Sequence, residues 1–570
     1  MTDLARPDSR ARAPEERRDV VDDGEVPLDP RIPDALTRVE SYPAEADAID
    51  PPVHIQTHLS HVFLTRSRVY KLRKSVRFDF VDFGTRTRRD EDCVNEIRLN
   101  RRLAPDVYLG LAPVWLESST VRVGPLRQDL ATASPEGLPV REHCVVMRRL
   151  PDGADALSLL ERDSLTRGAL TRLADRIACF HREHRLVLDE RPGQWRQQIE
   201  APVRDNLKTL RATGLDGSDL ARLQSIASRT EAWMQRSGTL LEERFTRGLP
   251  VDGHGDLHLQ HVWLPEPEGP AVVMDCLEFQ SELRRLDPAC DVAFLAMDLG
   301  YRGRRDLADH FLAAYASAAD DYGLFDVVDY FISYRAAVRA KVARLAARDA
   351  AVSAQQQEQS RLSASRHLTF ADQALAARPI GRLVAVTGSI GTGKTTVARS
   401  VGEALGGVVL SSDRVRKRLA GLEPLERARA GWGGSIYGEE MSDRTYAGLL
   451  ERAAPALRSG RPVVLDATYA SRERRDALRR WARAWNLRPL LIEVHCDPAQ
   501  IEARLRGRTA RGDDASDAGP ELQTESARRY EAPNEWPAGH RIRVDTDHED
   551  WEAELRAALR AARHTPVATG

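Results

Sequence analysis

GRLVAVTGSIGTGKTTVARSVGEAL, residues 381–405, decides the fold of the C-terminal part of the chain. LVAV is a short apolar run that predicts a buried strand, and TVARSVGEAL has helical spacing. Between them GSIGTGKT, residues 388–395, matches the phosphate-loop pattern G-x-x-x-x-G-K-[ST]. Gly388, Gly391 and Gly393 let the backbone turn tightly, so that successive N–H groups point inward at an anion. The N-terminus of the following helix adds partial positive charge. Lys394 is expected to reach the terminal phosphates of ATP, and the Thr395 hydroxyl to ligate Mg2+. Ser389, Thr392 and Thr396 complete the expected nucleotide-binding set. Only six of the 570 residues are lysine, which makes a chance match improbable.

Working outward, VVLSSD (408–413), RPVVLDATY (461–469) and LRPLLIEVHCD (487–497) each read as a strand followed by a helical pattern. Strand–helix alternation predicts a parallel, doubly wound sheet. Asp466 ends the strand PVVLD, where a carboxylate can hold Mg2+ or cap a helix. Asp413 opens a helix after VVLSSD, as a general base for an acceptor hydroxyl or as an ordinary N-cap. Arg504, Arg508 and Arg511 fall on one helical face before the acidic loop GDDASDA. They read as a lid over the transferring phosphate or as a solvated face.

GSIGTGKTT, SSDRVRKRL, VVLDATY and RGDDASDA resemble the zeta-toxin, polynucleotide-kinase and gluconate-kinase group of small P-loop kinases, over roughly 380–565. That resemblance implies ATP-dependent phosphorylation of a hydroxyl with Asp413 as base. The group's acceptors range from sugars to nucleic-acid ends, so no substrate follows from it.

The N-terminal half carries a different pattern, HGDLHLQHVWL at 254–264. Asp256 lies in a predicted loop among histidines, where a carboxylate can deprotonate a hydroxyl. Asp275 follows the apolar strand AVVMD. One loop carboxylate for the nucleophile and one for Mg2+ are the minimum apparatus of phosphoryl transfer. His254, His258 and His261 also admit a zinc site, though without an H-E-x-x-H helix.

This string resembles the aminoglycoside phosphotransferase family, a branch of the protein-kinase-like fold, over roughly 50–345. His254, Gly255 and Asp256 match its signature, so Asp256 inherits the base role and Asp275 the Mg2+ role. Asp291 would anchor the catalytic loop or cap its own helix. The metal-binding asparagine position is occupied by His261, a departure, because oxygen ligands suit Mg2+ better than imidazole. The phosphate-gripping lysine corresponds to Lys71, with Lys74 competing, and Glu96 to its ion-pair partner or a solvated charge. Met147 fits the adenine hinge or a plain core strand. THLSHVFLTRSR holds no glycine, so the family's glycine-rich loop is missing. The whole architecture resembles bacterial bifunctional proteins that fuse such a domain to a P-loop kinase.

The expected fold class is mixed α/β and α+β, a protein-kinase-like two-lobe fold followed by a P-loop NTPase α/β/α domain. A disordered tail is expected over 1–45, the kinase-like domain over 46–375 and the P-loop domain over 376–570. The 84 basic residues against 86 acidic ones give a net charge of −2, which supports no bulk nucleic-acid binding. Of the basic residues 78 are arginine, so arginine is background here. No apolar run spans a membrane, the start has no secretory signal, and six scattered cysteines form no C-x-x-C pair. A cytoplasmic enzyme of small-molecule substrates is expected, with ATP and Mg2+ as cofactors. An acidic pocket for a polycationic substrate would draw on Asp298, Asp306, Asp309, Asp320, Asp321 and Asp326, residues equally ordinary on a helical surface.

Overall fold

The computed structural model describes residues 27–43, 50–78, 81–118, 120–135, 137–349, 352–423, 426, 436–511 and 523–563. The chain divides into two compact units: Met1–Leu150 with Glu278–Gln280, and Pro151–Leu277 with Ser281–Gly570.

The first unit is built on a six-stranded antiparallel sheet. Its spatial order is Val53–Gln56, Ser60–Leu64, Arg68–Arg73, Val140–Arg148, Tyr108–Glu117, Thr120–Val123. The period of two in RVYKLR turns Tyr70 and Leu72 into the core with Phe63, Val114 and Val146. It leaves Lys71 and Arg73 on the opposite face, towards the helix Arg86–Asn100. Thr85 caps that helix by accepting from Arg88 N. Residues 31–43 correct the expectation of a disordered tail through residue 45. Arg31–Ala35 is helical, and Ile32, Leu36 and Tyr42 join the sheet's core. Ile32 and Leu36 lie one helical turn apart, enough to cover an otherwise bare sheet face. Residues 1–26 lie outside the described residues.

The second unit begins with helices, including Arg167–Glu183, Pro192–Ala212 and Gly217–Ser237. Two short antiparallel pairs then frame the HGD loop: Val251–Asp252 with Arg285–Leu286, and Val262–Trp263 with Val272–Val273. The helix Pro288–Tyr301 behind the loop is buried along nearly its whole length. Helices Arg305–Ala319, Val328–Ala346 and Ala354–Ala374 follow.

The unit ends in a five-stranded, all-parallel sheet in the order Val408–Ser411, Val463–Asp466, Leu383–Thr387, Leu490–His495, Arg541–Asp545. Val384, Val386, Val464 and Ile492 pack under the helix Lys394–Leu405 through Val397 and Val401. The central strands Leu383–Thr387 and Val463–Asp466 are mostly apolar runs because helices cover both faces of a parallel sheet. Among the described residues no helix is long and apolar enough to cross a membrane. All six cysteines are free.

Candidate active sites

At the second site, the phosphate loop joins the strand Leu383–Thr387 to the helix Lys394–Leu405. Gly391 holds φ 84°, and a Cβ there would lie 2.6 Å from Ile501 Cγ2, so only glycine fits the turn. Lys394 Nζ donates to Ser389 O at 2.7 Å, and Thr392 Oγ1 to the same carbonyl at 3.0 Å. Thr395 Oγ1 donates to Asp466 Oδ2 at 2.8 Å. This oxygen pair at the end of a parallel strand is a donor set suited to Mg2+. Burial pushes the Asp466 carboxyl up to about 6; the Thr395 hydrogen bond and Lys394 oppose this, and Asp413 adds to it.

Gly391, Gly393, Lys394, Thr395, Thr396, Asp413 and Asp466 line one cavity of about 650 Å³. Asp413 sits in the first turn of the helix Ser412–Leu419, whose N-cap is Ser411. Its carboxylate faces the cavity and does not cap the helix. Arg504 also lines the cavity; it donates to Thr546 Oγ1 at 2.7 Å and Thr546 O at 2.9 Å, and Thr546 Oγ1 donates to Thr392 O at 3.0 Å, which ties Arg504 to the phosphate loop. Arg508 and Arg511 lie on the helix Pro498–Arg511, and their side chains, with residues 512–522, lie outside the described residues. Arg474 and Tyr446 also line the cavity, with the guanidinium 4.3 Å above the ring. Nothing in their sequence context separates them from the arginine background.

The residues expected from the kinase-like resemblance fall in both units. In the first unit Lys71 Nζ pairs with Glu96 Oε1 at 2.8 Å. Lys74 Nζ instead donates to Thr57 O at 2.7 Å and closes the hairpin between the first two strands. Arg73, 2% exposed, donates to Glu96 at 2.6 Å and Glu278 at 2.9 Å and forms an ion pair with Asp92. Sequence reading passed over Arg73, yet it holds Glu96 in place for Lys71. Asp92, Glu96 and Glu278 cluster closely enough to hold an ion, but the guanidinium already neutralises them. Met147 is 6% exposed and pairs with Val69 and Tyr108 near the end of a central strand.

In the second unit Asp291, 0% exposed, anchors the HGD loop. Its Oδ2 accepts from His254 N at 2.7 Å and His181 Nε2 at 3.0 Å, and its Oδ1 from Gly255 N at 2.9 Å. Burial alone would raise Asp291, but the His181 hydrogen bond and the surrounding donors bring it down to about 2. Gly255 holds φ 81°, which swings Asp256 out of the buried loop. His254 Nε2 donates to Met274 O at 3.0 Å and its Nδ1 accepts from Asp256 N at 3.3 Å. Both ring nitrogens are therefore taken, and the set of three ligating histidines does not form. Burial pushes His254 down to about 4.

Asp256 Oδ2 lies 3.6 Å from His258 Nε2 and 3.5 Å from His261 Nδ1. Burial works to raise Asp256, but His258, His261 and His254 outweigh it and hold the carboxyl well below the usual range. His261 Nε2 lies 3.4 Å from Asp275 Oδ2, and Asp275 itself holds φ 63°. Burial lowers the His261 ring from its ordinary value. Mg2+ fits this half-site less well than the second, because one of its two facing donors is nitrogen.

Of the two readings of the six aspartates, their partners favour the ordinary helical surface over an acidic pocket. Asp320 is gripped by Arg452 at 2.8 and 2.7 Å, and Asp326 by Arg458 at 2.9 and 2.7 Å. Arg461 binds Asp309 at 3.0 Å. Asp321 is paired with Arg244, Asp306 with Arg304, and Asp298 accepts from Leu259 N and Arg302. These carboxylates are already matched by arginines.

Residues 383–533 match the family model described as AAA domain. Among solved structures, a gluconokinase from Sinorhizobium meliloti 1021 is 22% identical, covering 33% of this chain and 96% of its own, with a TM-score of 0.24. The amicoumacin kinase hAmiN is 14% identical over 57% of this chain and 89% of its own, with a TM-score of 0.35. The Mycobacterium tuberculosis (strain H37Rv) protein Rv2004c is 34% identical over 493 residues, 85% of this chain and 91% of the relative. Mb2027c of Mycobacterium bovis matches to the same extent. At that identity over nearly the full length of the relatives, the chain belongs to the family of these mycobacterial proteins.

Proposed function

We propose that the chain is an ATP-dependent phosphotransferase with two nucleotide-binding modules, over 46–375 and 376–570, each directed at a hydroxyl of a small molecule. The observation that carries this reading is the Thr395–Asp466 pair at 2.8 Å, in one cavity with Lys394 and Asp413. In the second site the loop N–H groups and Lys394 bind the phosphates. Mg2+, when bound by Thr395 and Asp466, supplies charge neutralisation on them. Asp413 takes the proton of the acceptor hydroxyl, and Arg508 and Arg511 are the cations assigned to neutralising the phosphate. In the first unit Lys71, held by Glu96, is assigned to phosphate and Met147 to the adenine wall; in the second unit Asp256 is assigned as the base. Asp275 and His261 are the metal ligands assigned beside it. Charge stabilisation by preorganised donors does most of the work, with no covalent enzyme intermediate.

A second reading keeps only the P-loop site active, with the first half as a nucleotide-binding regulator. Two observations favour it: imidazole at the metal position, and a short hairpin closed by Lys74 in place of a glycine-rich loop. ATP consumption by wild type, Asp256→Asn and Lys394→Ala, with pooled metabolites as acceptors, separates the readings. Two distinct losses are expected for a two-site kinase. Loss in Lys394→Ala alone selects the regulator, and no loss in either variant defeats both.

A further inference from the structure

His261 Nδ1 lies 2.9 Å from the Asp256 carbonyl oxygen. A carbonyl only accepts, so Nδ1 carries the proton and Nε2 is left with its lone pair. That lone pair faces a carboxylate oxygen, Asp275 Oδ2, at 3.4 Å. Two acceptors opposed at this distance repel unless a cation sits between them. The separation is also the edge that two ligands at ~2.0–2.1 Å make in a tetrahedron, about 3.3 Å. The arrangement is that of a metal-ligating histidine: one ring nitrogen fixed by a backbone carbonyl, the other offered to the ion. His261 is 16% exposed at its side chain, and its ring packs 3.8 Å from His258, which limits reorientation.

We propose that His261 Nε2 and Asp275 form a site for an imidazole-preferring divalent ion of the Co2+/Zn2+ class, and that the two sites of this chain take different metals. The proposal rests on reading the first half as a phosphotransferase site and changes its metal. The all-oxygen pair of Thr395 and Asp466 suits hard, strongly hydrated Mg2+. A nitrogen and an oxygen donor favour a borderline ion. Asp256 and His258 also lie close enough to His261 to share an ion, but His261 Nδ1 is taken by the Asp256 carbonyl, so the proposal assigns the ion to Nε2 and Asp275 and leaves the Asp256 carboxylate for a hydroxyl proton.

The test uses the full chain, stripped of metal and free of nucleotide, titrated with Co2+ and followed by visible absorption and calorimetry. One ion per chain is expected at this site. His261→Asn and Asp275→Asn each weaken it by at least ~10-fold, the lower end of what even an outer partner's loss produces. Asp466→Asn and His258→Ala leave it unchanged, and excess Mg2+ does not displace it. Zinc-edge X-ray absorption on the unsubstituted protein, which needs no variant to fold, shows imidazole scattering. Wild-type affinity in His261→Asn, displacement by equimolar Mg2+, an all-oxygen zinc shell, or loss of the ion in His258→Ala would each overturn the assignment. In a Lys394→Ala background, stabilisation by AMP-PNP that is lost on adding Lys71→Ala reports the phosphotransferase reading separately. Co2+ binding without it sinks that reading and spares the metal site.

Discussion

Replacing Asp291 with asparagine turns one oxygen into an NH2 group and removes a charge where exposure is 0%. The best orientation keeps the amide oxygen at the Oδ2 position, serving His254 N and His181 Nε2. The NH2 group then faces the Gly255 N–H, donor against donor. One charge-assisted hydrogen bond worth ~1.5–3 kcal/mol is lost, and a buried N–H is left unmade at ~1–3 kcal/mol. The titration of the carboxyl gives an independent figure. A fall from 3.8 to about 2 is nearly two pH units, or about 2.4 kcal/mol of folded-state stabilisation of the anion. The two routes together span ~2–6 kcal/mol. Because the folded value is depressed, this stability is fully present above about pH 4 and lost as pH falls through about 2. The assay is thermal melting of wild type and Asp291→Asn between pH 7 and 2, beside first-site ATP turnover. The variant is expected to melt lower at pH 7 and to show a weaker acid-linked loss. Turnover should fall more than stability, since a ~1 Å shift of Asp256 alone can lower a rate ~100-fold. Equal melting and equal turnover at pH 7 would refute the anchoring role.

Three further outcomes follow from the geometry. Arg461→Ala removes a buried guanidinium bound to Asp309 and Asp329, and should destabilise the full chain by ~3–5 kcal/mol in urea unfolding. Lys71→Ala should abolish nucleotide-dependent stabilisation at the first site, whereas Lys74→Ala, which loosens an exposed hairpin, should leave it intact in a thermal-shift titration with AMP-PNP. Lys394→Ala should reduce second-site turnover by ~10²–10³-fold, the usual effect of losing one oriented donor, with the melting temperature held. A fall below tenfold would remove Lys394 from the phosphate contacts.

Much of this was readable in the residues because local pattern and fold agreed. The run LVAVTGSIGTGKTT carries strand, turn and helix in its own spacing, and neighbouring elements only complete it. The strands Tyr108–Glu117 and Arg541–Asp545 carry little strand signal, the first because GLAPVW contains Gly and Pro, the second because RIRVD is short and mostly charged. The helix Arg86–Asn100 was legible as a helix but not by its buried side. Its apolar Val94 is 39% exposed, while Arg89, Asp92 and Glu96 point inward. A helix that packs through ion pairs inverts the usual amphipathic signal. Arg73 stayed hidden for the same reason: its role depends on three carboxylates brought together only by folding.

The composition itself explains why the two halves of the second unit hold together. Arginine outnumbers lysine thirteenfold, and its planar fork binds a carboxylate at two points where a lysine binds at one. Arg452, Arg458 and Arg461 each grip an aspartate in this way, always from the P-loop segment onto the helices before it. Exposed pairs of this kind contribute little singly, but Arg461 is 4% exposed and shared by two aspartates. The helix Ser412–Leu419, which carries Asp413, reaches the same surface through Arg414 to Ser317 O at 3.5 Å and Arg418 to Ala318 O at 3.3 Å. Those carbonyls end the helix whose Tyr315 bonds His181 at 2.8 Å, the ring that in turn bonds Asp291. Three of the aspartates that would have served a polycationic substrate, Asp309, Asp320 and Asp326, thus form the joint between the P-loop segment and the helices before it, and the arginine that looked like background is what closes it.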